Sequence, residues 1–194
     1  MKPISKQQKL LAYEEAAPAL QAGKVLCFQT DTVMGLHCLP NQVSKIISLK
    51  NCPNKPFILM ISCLEDIMDE VELRNLSAYQ LQQLNSIHQP PITWLVPHNG
   101  KNKQYQNLAK DKLLAVRMVF NLQIRQIIRS TGPLISTSAN RFQEETADNL
   151  AEAYEIFGDR LEYCEIECQN CLKCPSIIKD LITGDVKRCL NYQK

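Results

Sequence analysis

The chain has 194 residues, 45% of them hydrophobic and 22% charged, which is the composition of a soluble globular protein with one well-buried core. The formal net charge of +2 is smaller than a dedicated nucleic-acid binder usually carries. No apolar run approaches the length that spans a bilayer, and the N-terminal sequence MKPISKQQKL lacks the apolar segment of a signal peptide, so we expect a cytoplasmic protein without membrane contacts.

The first half of the chain alternates helical and strand-like patterns. Residues 5–22 carry a helical stripe of leucine and alanine that ends at Gly23. The apolar sequence KVLCFQ predicts a strand that runs directly into TDTVMGL. The elements predicted next are a helix over 42–50, a strand at PFILMIS and helices over about 64–70 and 75–87.

The second half continues the alternation. Its predicted elements are the strands ITWLVP and LLAVRMV, joined by a polar loop over 98–112, a helix over 121–130, a strand into STSAN, a helix over 146–157 and the short strands LEYCEI, SIIKDL and DVKRCL. Because strands interleave with helices and no linker or repeat is visible, the sequence predicts a single α/β domain over residues 1–194.

Polar residues follow two of the apolar stretches in the first half. Thr30-Asp31-Thr32 comes after VLCFQ, and taken alone this triplet favours a turn or a helix cap. Lys50 and Lys55 flank Pro53 in LKNCPNKPF. Two such lysines either belong to a solvated surface loop or neutralise a polyphosphate as compact point charges.

Two further segments place polar groups in or after strands of the second half. Arg117 lies in the middle of LLAVRMV, where burial without a partner is costly. It belongs either to an edge strand or structural ion pair, or to a site that binds a carboxylate or phosphate. The run Ser136-Thr137-Ser138-Ala139-Asn140 is either a turn that caps the next helix or a set of donors and acceptors for a polar ligand.

These segments occur together in one order along nearly the whole chain. They read QTDTVMGL (29–36), KNCPNKPF (50–57), TWLVP (93–97), LAVRMV (114–119), PLISTSAN (133–140) and PSIIKDLITGDVKR (175–188). On these motifs the chain resembles the YrdC/Sua5 family of threonylcarbamoyl-AMP synthases, in the short, TsaC-type form that has no extra C-terminal domain.

The resemblance implies both a fold and a reaction. The implied fold is a YrdC-like twisted mixed sheet with flanking helices and a large open, positively lined cavity. The implied reaction is a nucleotidyl transfer that joins L-threonine, bicarbonate and ATP, with Mg²⁺ accompanying ATP, into threonylcarbamoyl-AMP and pyrophosphate. The product would serve t6A modification at position 37 of tRNA through a separate threonylcarbamoyl transferase complex. Such chemistry depends on positioning and charge neutralisation, so no protein nucleophile is expected.

The resemblance also assigns binding roles to individual positions. The threonine-binding residues would be Thr30, Arg117, Ser136 and Ser176. The ATP-binding residues would be Thr32, Lys50, Lys55, Ser138, Asn140, Thr146 and Arg188.

One departure from the family pattern concerns charge at the phosphate site. Cys52 stands where the family has an arginine, so Lys55, Lys101 or Lys103 would have to supply the missing charge, or activity would be lower. The clusters Lys101-Asn102-Lys103 and Lys110-Asp111-Lys112 could also line a site for an anionic ligand.

The cysteines allow two interpretations. Nine cysteines fit a reducing compartment if they are buried thiols, and their odd number argues against a fully paired disulfide framework. Four of them are clustered, at Cys164, Cys168, Cys171 and Cys174. Four thiolates can form a tetrahedral zinc site, but zinc ribbons usually separate their two pairs by a longer stretch. A tail of free thiols is therefore favoured, and no metal site is predicted.

Two alternative functions follow from the same motifs. The first is a catalytically weakened nucleotide or double-stranded RNA binding module of the same fold. Release of pyrophosphate from ATP that requires threonine and bicarbonate would separate the enzyme from this module. The second is the carbamoyl-transfer domain of hydrogenase maturation proteins, which normally lies within a much longer chain.

Overall fold

The structure is a computed structural model that describes residues 10–51, 57–168 and 171–190, and its core is one ten-stranded mixed sheet. The strands are β1 (Leu10–Leu11), β2 (Leu26–Gln29), β3 (Met34–Cys38), β4 (Ile58–Ile61), β5 (Ile92–Pro97), β6 (Leu113–Met118), β7 (Leu134–Ser138), β8 (Glu162–Cys164), β9 (Ile177–Asp180) and β10 (Val186–Arg188). The helices are α1 (Tyr13–Gln21), α2 (Val43–Lys50), α3 (Ala78–Leu84), α4 (Lys103–Gln106), α5 (Leu122–Thr131) and α6 (Leu150–Phe157). None of these described helices is long and apolar enough to cross a membrane.

The order of the strands brings distant segments of the chain side by side. Across the sheet the order is β1-β8-β2-β3-β7-β4-β6-β5-β9-β10. β7 lies antiparallel between β3 and β4, and β4 pairs in parallel with β6. Gly35 therefore lies opposite Ser138, and Met60 lies opposite Arg117. The polar segments predicted from the sequence thus meet on neighbouring central strands.

The two faces of the central strands bury different residues, because side chains alternate along a strand. One face carries Leu36, Leu59 and Ile135, which belong to the larger hydrophobic core. Apolar residues of α2, α3 and α6 pack against this core. This face is the well-buried core that the composition predicts.

The opposite face is covered over only part of its extent by helices. Phe28, Met60 and Leu134 lie on it and pack with apolar residues of α1 and α5 in a second core cluster. Two residues beyond Leu134, the same face continues at Ser136 into an open cavity. The incomplete helical cover therefore leaves room for a site on the sheet.

The helix boundaries differ from the predictions at several places. The segment predicted as a helix over 64–70 contains only the 3₁₀ helix Leu64–Ile67, and the helix predicted over 75–87 spans Ala78–Leu84. Two further differences have local reasons. Leu10 and Leu11 form a strand parallel to β8, so the helix predicted from residue 5 begins at Tyr13; residues 5–9 lie outside the described residues. The helix predicted from residue 146 begins at Leu150, because the side chain of Asn149 accepts a hydrogen bond from the backbone N–H of Glu152 and caps it there.

Strand β3 was not predicted as a strand. Its five residues, Met34–Cys38, are all buried because β3 lies inside the sheet between β2 and β7. β2 and β3 form an antiparallel hairpin, and Thr30-Asp31-Thr32 lies in the turn between them. The TDT triplet is therefore a hairpin turn, as its residue types favour.

Candidate active site

A cavity of about 670 Å³ lies on the partly covered face of the sheet. Residues of β3, β4, β5, β6, β7 and β9 form its floor. The substrate-binding residues predicted from the sequence that line this cavity are Thr30, Thr32, Arg117, Ser136, Ser138, Ser176 and Arg188. The fold thus collects in one place seven residues from four separate motifs.

Arg117 is held in the wall of the cavity by polar contacts on both terminal nitrogens. Its Nη1 donates to Thr32 Oγ1 at 2.8 Å, and its Nη2 lies 3.3 Å from Asp31 Oδ1. The side chain is buried, and its Nε has no hydrogen-bond partner among the described residues. β6 lies between β4 and β5, so the edge-strand interpretation of Arg117 is wrong. Arg117 does form an ion pair with Asp31, and it also lines the cavity, so the two remaining interpretations are compatible.

The hydroxyl groups of the TDT turn form a chain of hydrogen bonds that begins at this guanidinium. Thr30 Oγ1 and Thr32 Oγ1 are 2.9 Å apart, and Thr30 Oγ1 donates to the carbonyl of Val33 at 2.9 Å. Because Thr32 accepts from Arg117 and Thr30 donates to Val33, the hydroxyl hydrogen of Thr32 points to Thr30. Both hydroxyl hydrogens are then used within the protein. Thr30 Oγ1 also accepts the backbone N–H of Thr32 at 3.2 Å, so both of its acceptor sites are filled and only Thr32 Oγ1 keeps acceptor capacity for a ligand.

The end of β7 supplies two hydroxyls on the cavity face. Ser136 lies opposite Ile58 of β4, and Ser138 lies opposite Gly35 of β3. Ser138 Oγ donates to Asn140 Oδ1 at 2.7 Å, and Asn140 Nδ2 donates to the carbonyl of Glu144 at 2.6 Å. Asn140 is buried and is not among the residues that line the cavity, so its predicted phosphate contact is not seen here.

Lys50 occupies a structural position, contrary to the prediction that it faces the triphosphate. The residue is buried at the end of α2, and its ammonium donates to the carbonyls of Ser138 and Asn140 and to Asn140 Oδ1. Lys50 therefore fixes the turn after β7, and it does not line the cavity.

Ser176 and Arg188 form the opposite wall. Arg188 Nε donates to the carbonyl of Ser176 at 3.0 Å and Nη2 donates to Ser176 Oγ at 3.3 Å. Ser176 Oγ is also 2.7 Å from Thr93 Oγ1. Burial, together with the nearby positive charge of Arg117, lowers the pKa of Arg188 below its ordinary value. The two guanidinium groups thus lie close enough to repel each other, an arrangement that an anion between them would stabilise.

Two remaining predictions concern residues elsewhere. Thr146 lines a separate pocket of about 300 Å³ beside the acidic residues Asp148 and Glu152, so it does not belong to the cavity. Its placement follows from the extended segment that precedes the Asn149 cap of α6. Lys55 lies outside the described residues, as does Cys52.

The cavity contains cations that the sequence analysis did not assign. Lys110 and Lys187 line it, whereas Lys101 and Lys103, two of the three lysines proposed to compensate for Cys52, do not. The basic cluster at residues 110–112 was noted in the sequence, but only the fold shows that Lys110 reaches this cavity. No sequence pattern predicted that Lys187 would line the cavity.

Gly35 lines the cavity, and His37 lies next to it on the same face of β3. A Cβ at Gly35 would lie 2.6 Å from His37 Nε2, so the imidazole fills the space above this glycine. The His37 ring is fully buried and stacks on Phe28 with ring centroids 3.7 Å apart. Burial lowers the pKa of His37 to about 3. His37 is thus a neutral packing residue whose bulk requires glycine at position 35.

The clustered cysteines do not form a metal site within the described residues. Cys168 and Cys171 are joined by a disulfide, contrary to the expectation of free thiols, whereas Cys164 and Cys174 are free and buried. In the described ranges no group of three or more cysteine, histidine or acidic side chains could hold a metal ion. The disulfide lies against the TDT turn, because Cys168 Sγ is 3.2 Å from the Thr30 carbonyl oxygen.

A wider cleft of about 940 Å³ lies on the other side of Asp31. Its lining includes the apolar residues Pro91, Phe120 and Leu122, and none of the predicted substrate-binding residues. The groups that suit an amino acid and a nucleotide are therefore in the smaller cavity.

Known proteins resemble this chain over most of its length. The Sua5/YciO/YrdC family model, described as "Telomere recombination", matches residues 18–190. The threonylcarbamoyl-AMP synthase of Pseudomonas paraeruginosa is 30% identical over 176 residues, which cover 89% of this chain and 94% of the relative. The enzyme of that name from Chromohalobacter salexigens is 32% identical over 179 residues, covering 90% and 95%.

A solved structure supports the same fold. The crystal structure of P. abyssi Sua5 complexed with L-threonine aligns with a TM-score of 0.74 at 19% identity, over 89% of this chain and 54% of that one. This chain therefore spans about half the length of that Sua5 protein. Given the family match over residues 18–190, the chain belongs to the Sua5/YciO/YrdC family.

Proposed function

We propose that this chain is a threonylcarbamoyl-AMP synthase, which condenses L-threonine, bicarbonate and ATP into threonylcarbamoyl-AMP and pyrophosphate. The observation that carries the proposal is the single cavity in which Arg117, the TDT hydroxyls, Ser138 and Arg188 meet. The names of the relatives that match most of the chain support the same activity.

The reaction proceeds in two steps. The amine of threonine first attacks the carbon of bicarbonate, which gives a carbamate and releases water. A carbamate oxygen then attacks the α-phosphorus of ATP, a new P–O bond forms, and the bond to the bridging oxygen breaks so that pyrophosphate leaves. Neither step requires a protein nucleophile. The protein accelerates the reaction by holding the reactants in line and neutralising charge on the phosphates.

Arg117 binds the carboxylate of threonine in this proposal. Thr32 takes one N–H of Nη1 and Asp31 lies against Nη2, so of the five N–H donors of the guanidinium the second one on Nη1 is left for the carboxylate of the substrate. A guanidinium fixed in this way is oriented before the substrate arrives, so little side-chain entropy is lost on binding. The buried position also strengthens its electrostatic interaction with the carboxylate.

Thr32 binds another polar group of threonine, and Thr30 orients it. The hydroxyl hydrogen of Thr32 is used within the TDT turn, so its oxygen acts as an acceptor for the amine or the hydroxyl of the substrate, whereas Thr30 Oγ1 is filled by the backbone N–H and hydroxyl of Thr32. Thr32 therefore belongs with the threonine subsite rather than with ATP, since it touches both Thr30 and Arg117. Ser136, on the same face of the sheet, lines the adjacent floor.

ATP lies next to threonine, with its α-phosphate within reach of the carbamate. Ser138 and Arg188 contact phosphate oxygens, and Ser176 lies at the boundary between the two substrates because Arg188 binds it directly. Mg²⁺ bound with ATP would neutralise charge on the phosphates. The cavity offers the carboxylates of Asp111 and Asp180; the backbone N–H groups of Ile182 and Thr183 bind Asp180 Oδ1, so Asp180 Oδ2 and the carboxylate of Asp111 are the side-chain groups that would hold the ion.

Threonylcarbamoyl-AMP is a mixed anhydride that water hydrolyses, so its consumer is a threonylcarbamoyl transferase. We place the protein upstream of a transferase complex that modifies tRNA at position 37. Within the chain itself, the proposal concerns only the synthesis of the adenylate.

Incubation of the purified protein with ATP, Mg²⁺, L-threonine and ¹³C-bicarbonate tests the proposal. Mass spectrometry should detect an adenylate that carries the heavy carbon, together with pyrophosphate in equal amount. Omission of threonine or of bicarbonate should stop both products. ATP hydrolysis that does not depend on threonine, or ATP binding without any product, would contradict the assignment and favour a nucleotide-binding module.

A further inference from the structure

Four cationic side chains line the cavity within the described residues, and they differ in what they bind. Arg117 contacts Thr32 and Asp31, as described above. Arg188 donates to Ser176, and Lys187 Nζ lies 3.3 Å from Asp185. The side chain of Lys110 makes no hydrogen bond or ion pair with any described residue, although it is exposed and faces the cavity. Lys110 and Arg188 are therefore the lining cations that no described carboxylate neutralises, and the ammonium of Lys110 is the one with no described hydrogen-bond partner.

The backbone that presents Lys110 has an unusual conformation. Lys110 and Leu113 exchange two backbone hydrogen bonds, at 3.0 Å and 2.8 Å, and so close a tight turn at the start of β6. The two central residues, Asp111 and Lys112, have φ values of 52° and 63°. Positive φ at both centres is the pattern of a type I′ turn, which favours asparagine and glycine.

Neither central residue of this turn is glycine, so the conformation costs free energy that the surrounding structure must offset. The turn lies on the cavity, since both Lys110 and Asp111 line it. Backbone conformations of this kind concentrate at binding sites, and an observed outlier is a reason to look for a bound group. This turn therefore places the ammonium of Lys110 and the carboxylate of Asp111 at the cavity.

The position of Lys110 relative to β6 bears on which anion it can reach, because Lys110 lies in the turn before the strand and opposite Leu113. Leu113, Ala115 and Arg117 alternate along one face of the strand and all line the cavity. Arg117 is four residues beyond Leu113, which is roughly 13 Å at about 3.3 Å per strand residue. A single carboxylate or phosphate group is shorter than this separation. This separation of the backbone positions favours contacts of Lys110 and Arg117 with different anionic groups.

We propose that Lys110 is a nucleotide-binding residue that contacts the triphosphate of ATP while Arg117 holds the threonine carboxylate. This inference rests on the proposed function, and it assigns the phosphate contact to a lysine of the turn 110–113 in place of Lys50. ATP is the substrate with anionic groups long enough to extend from the reacting α-phosphate toward this turn. Asp111, next to Lys110, lies where a phosphate-bound Mg²⁺ would be within reach.

The test compares Lys110→Met with Lys103→Met. Lys103 is an exposed lysine of the same connecting segment that does not line the cavity, so its variant controls for a general loss of positive charge. Isothermal titration with ATP and Mg²⁺ measures binding without requiring turnover, and initial rates give KM for each substrate. Lys110→Met should weaken ATP binding and raise KM for ATP about tenfold, with KM for threonine unchanged. Lys103→Met should change neither, and Lys110→Arg should retain most of the affinity.

The outcomes separate the inference from the proposed function. If Lys110→Met binds ATP within threefold of the wild-type protein, or loses threonine affinity to the same extent, the assignment of Lys110 is wrong. If the wild-type protein binds ATP but makes no adenylate, the proposed function fails, and the titration still decides the role of Lys110. Because Lys110 is exposed, its substitution should leave the thermal unfolding midpoint unchanged, which checks that the variant is folded.

Discussion

Asp31 and Arg117 form an ion pair inside the protein, with 3.3 Å between Asp31 Oδ1 and Arg117 Nη2. The two residues are 6% and 2% exposed, so solvent screens the pair weakly. Asp31 also accepts the backbone N–H of Phe120 through Oδ2 at 3.4 Å. The carboxylate therefore links the start of α5 to the guanidinium and sets the direction in which Arg117 enters the cavity.

We expect Asp31→Asn to lower the free energy of unfolding by about 3 kcal/mol, because the buried guanidinium of Arg117 would lose its counter-charge. KM for threonine should rise more than KM for ATP, since the carboxylate-binding group loses its support. Chemical denaturation and initial rates measure the two effects. Glu162→Gln is the control, because Glu162 pairs with Lys24 at the same distance of 3.3 Å on the surface.

The control should cost less than about 1 kcal/mol, as exposed ion pairs generally do. Equal losses in the two variants would show that burial does not strengthen the Asp31–Arg117 pair. An unchanged KM for threonine in Asp31→Asn would show that Asp31 has no positioning role.

Arg117→Lys should reduce kcat/KM for threonine about 100-fold while the protein stays folded. A lysine keeps the positive charge opposite Asp31, but one ammonium group cannot contact Thr32 and Asp31 and also bind a carboxylate as a planar guanidinium does. The rate of adenylate formation measures the loss, and the thermal midpoint reports on folding. A folded Arg117→Lys variant with more than a tenth of the wild-type activity would contradict the assignment of the threonine carboxylate to Arg117.

Lys50→Met should destabilise the protein by about 3 kcal/mol. The substitution leaves three buried acceptors on Ser138 and Asn140 without their donor, and each unsatisfied group carries a desolvation cost. Lys45→Met on the same helix is the matched control: Lys45 is exposed and donates to one carbonyl, that of Gly23. We expect the control to lose less than about 1 kcal/mol. A Lys50→Met variant that keeps full stability and loses only ATP affinity would support the phosphate role predicted from the sequence.

The sequence identified the polar motifs of the site because their signals are local. Arg117 is conspicuous as a charge inside an apolar strand, and the hydroxyls of residues 136–138 are conspicuous at the end of another. Alternation of apolar and polar residues also predicted most strands and helices. These features depend on neighbouring residues, which a sequence displays directly.

The roles of Lys50 and Lys110 depend on contacts between distant parts of the chain. Lys50 is buried by residues 88 and 90 positions further along, and no local pattern reveals that pairing. Lys110 was noted only as part of a basic cluster, and its significance depends on a turn with positive φ and on the cavity formed by other strands. Strand β3 was missed for a related reason, since burial of all five of its residues follows from its central place in the sheet.

The stability of the protein should depend on His37 below pH 6.5. Its pKa in the folded state is lowered to about 3 from an ordinary value of 6.5, so the unfolded chain binds a proton more readily than the folded one. Stability from this residue is therefore complete above pH 6.5 and is lost as the pH falls toward 3; at pH 5 the loss should be on the order of 2 kcal/mol. His37→Gln cannot take up this proton. Denaturation at pH 7.5 and pH 5 should therefore show a smaller loss for the variant than for the wild-type protein, whereas equal losses would mean that His37 is not buried as a neutral group.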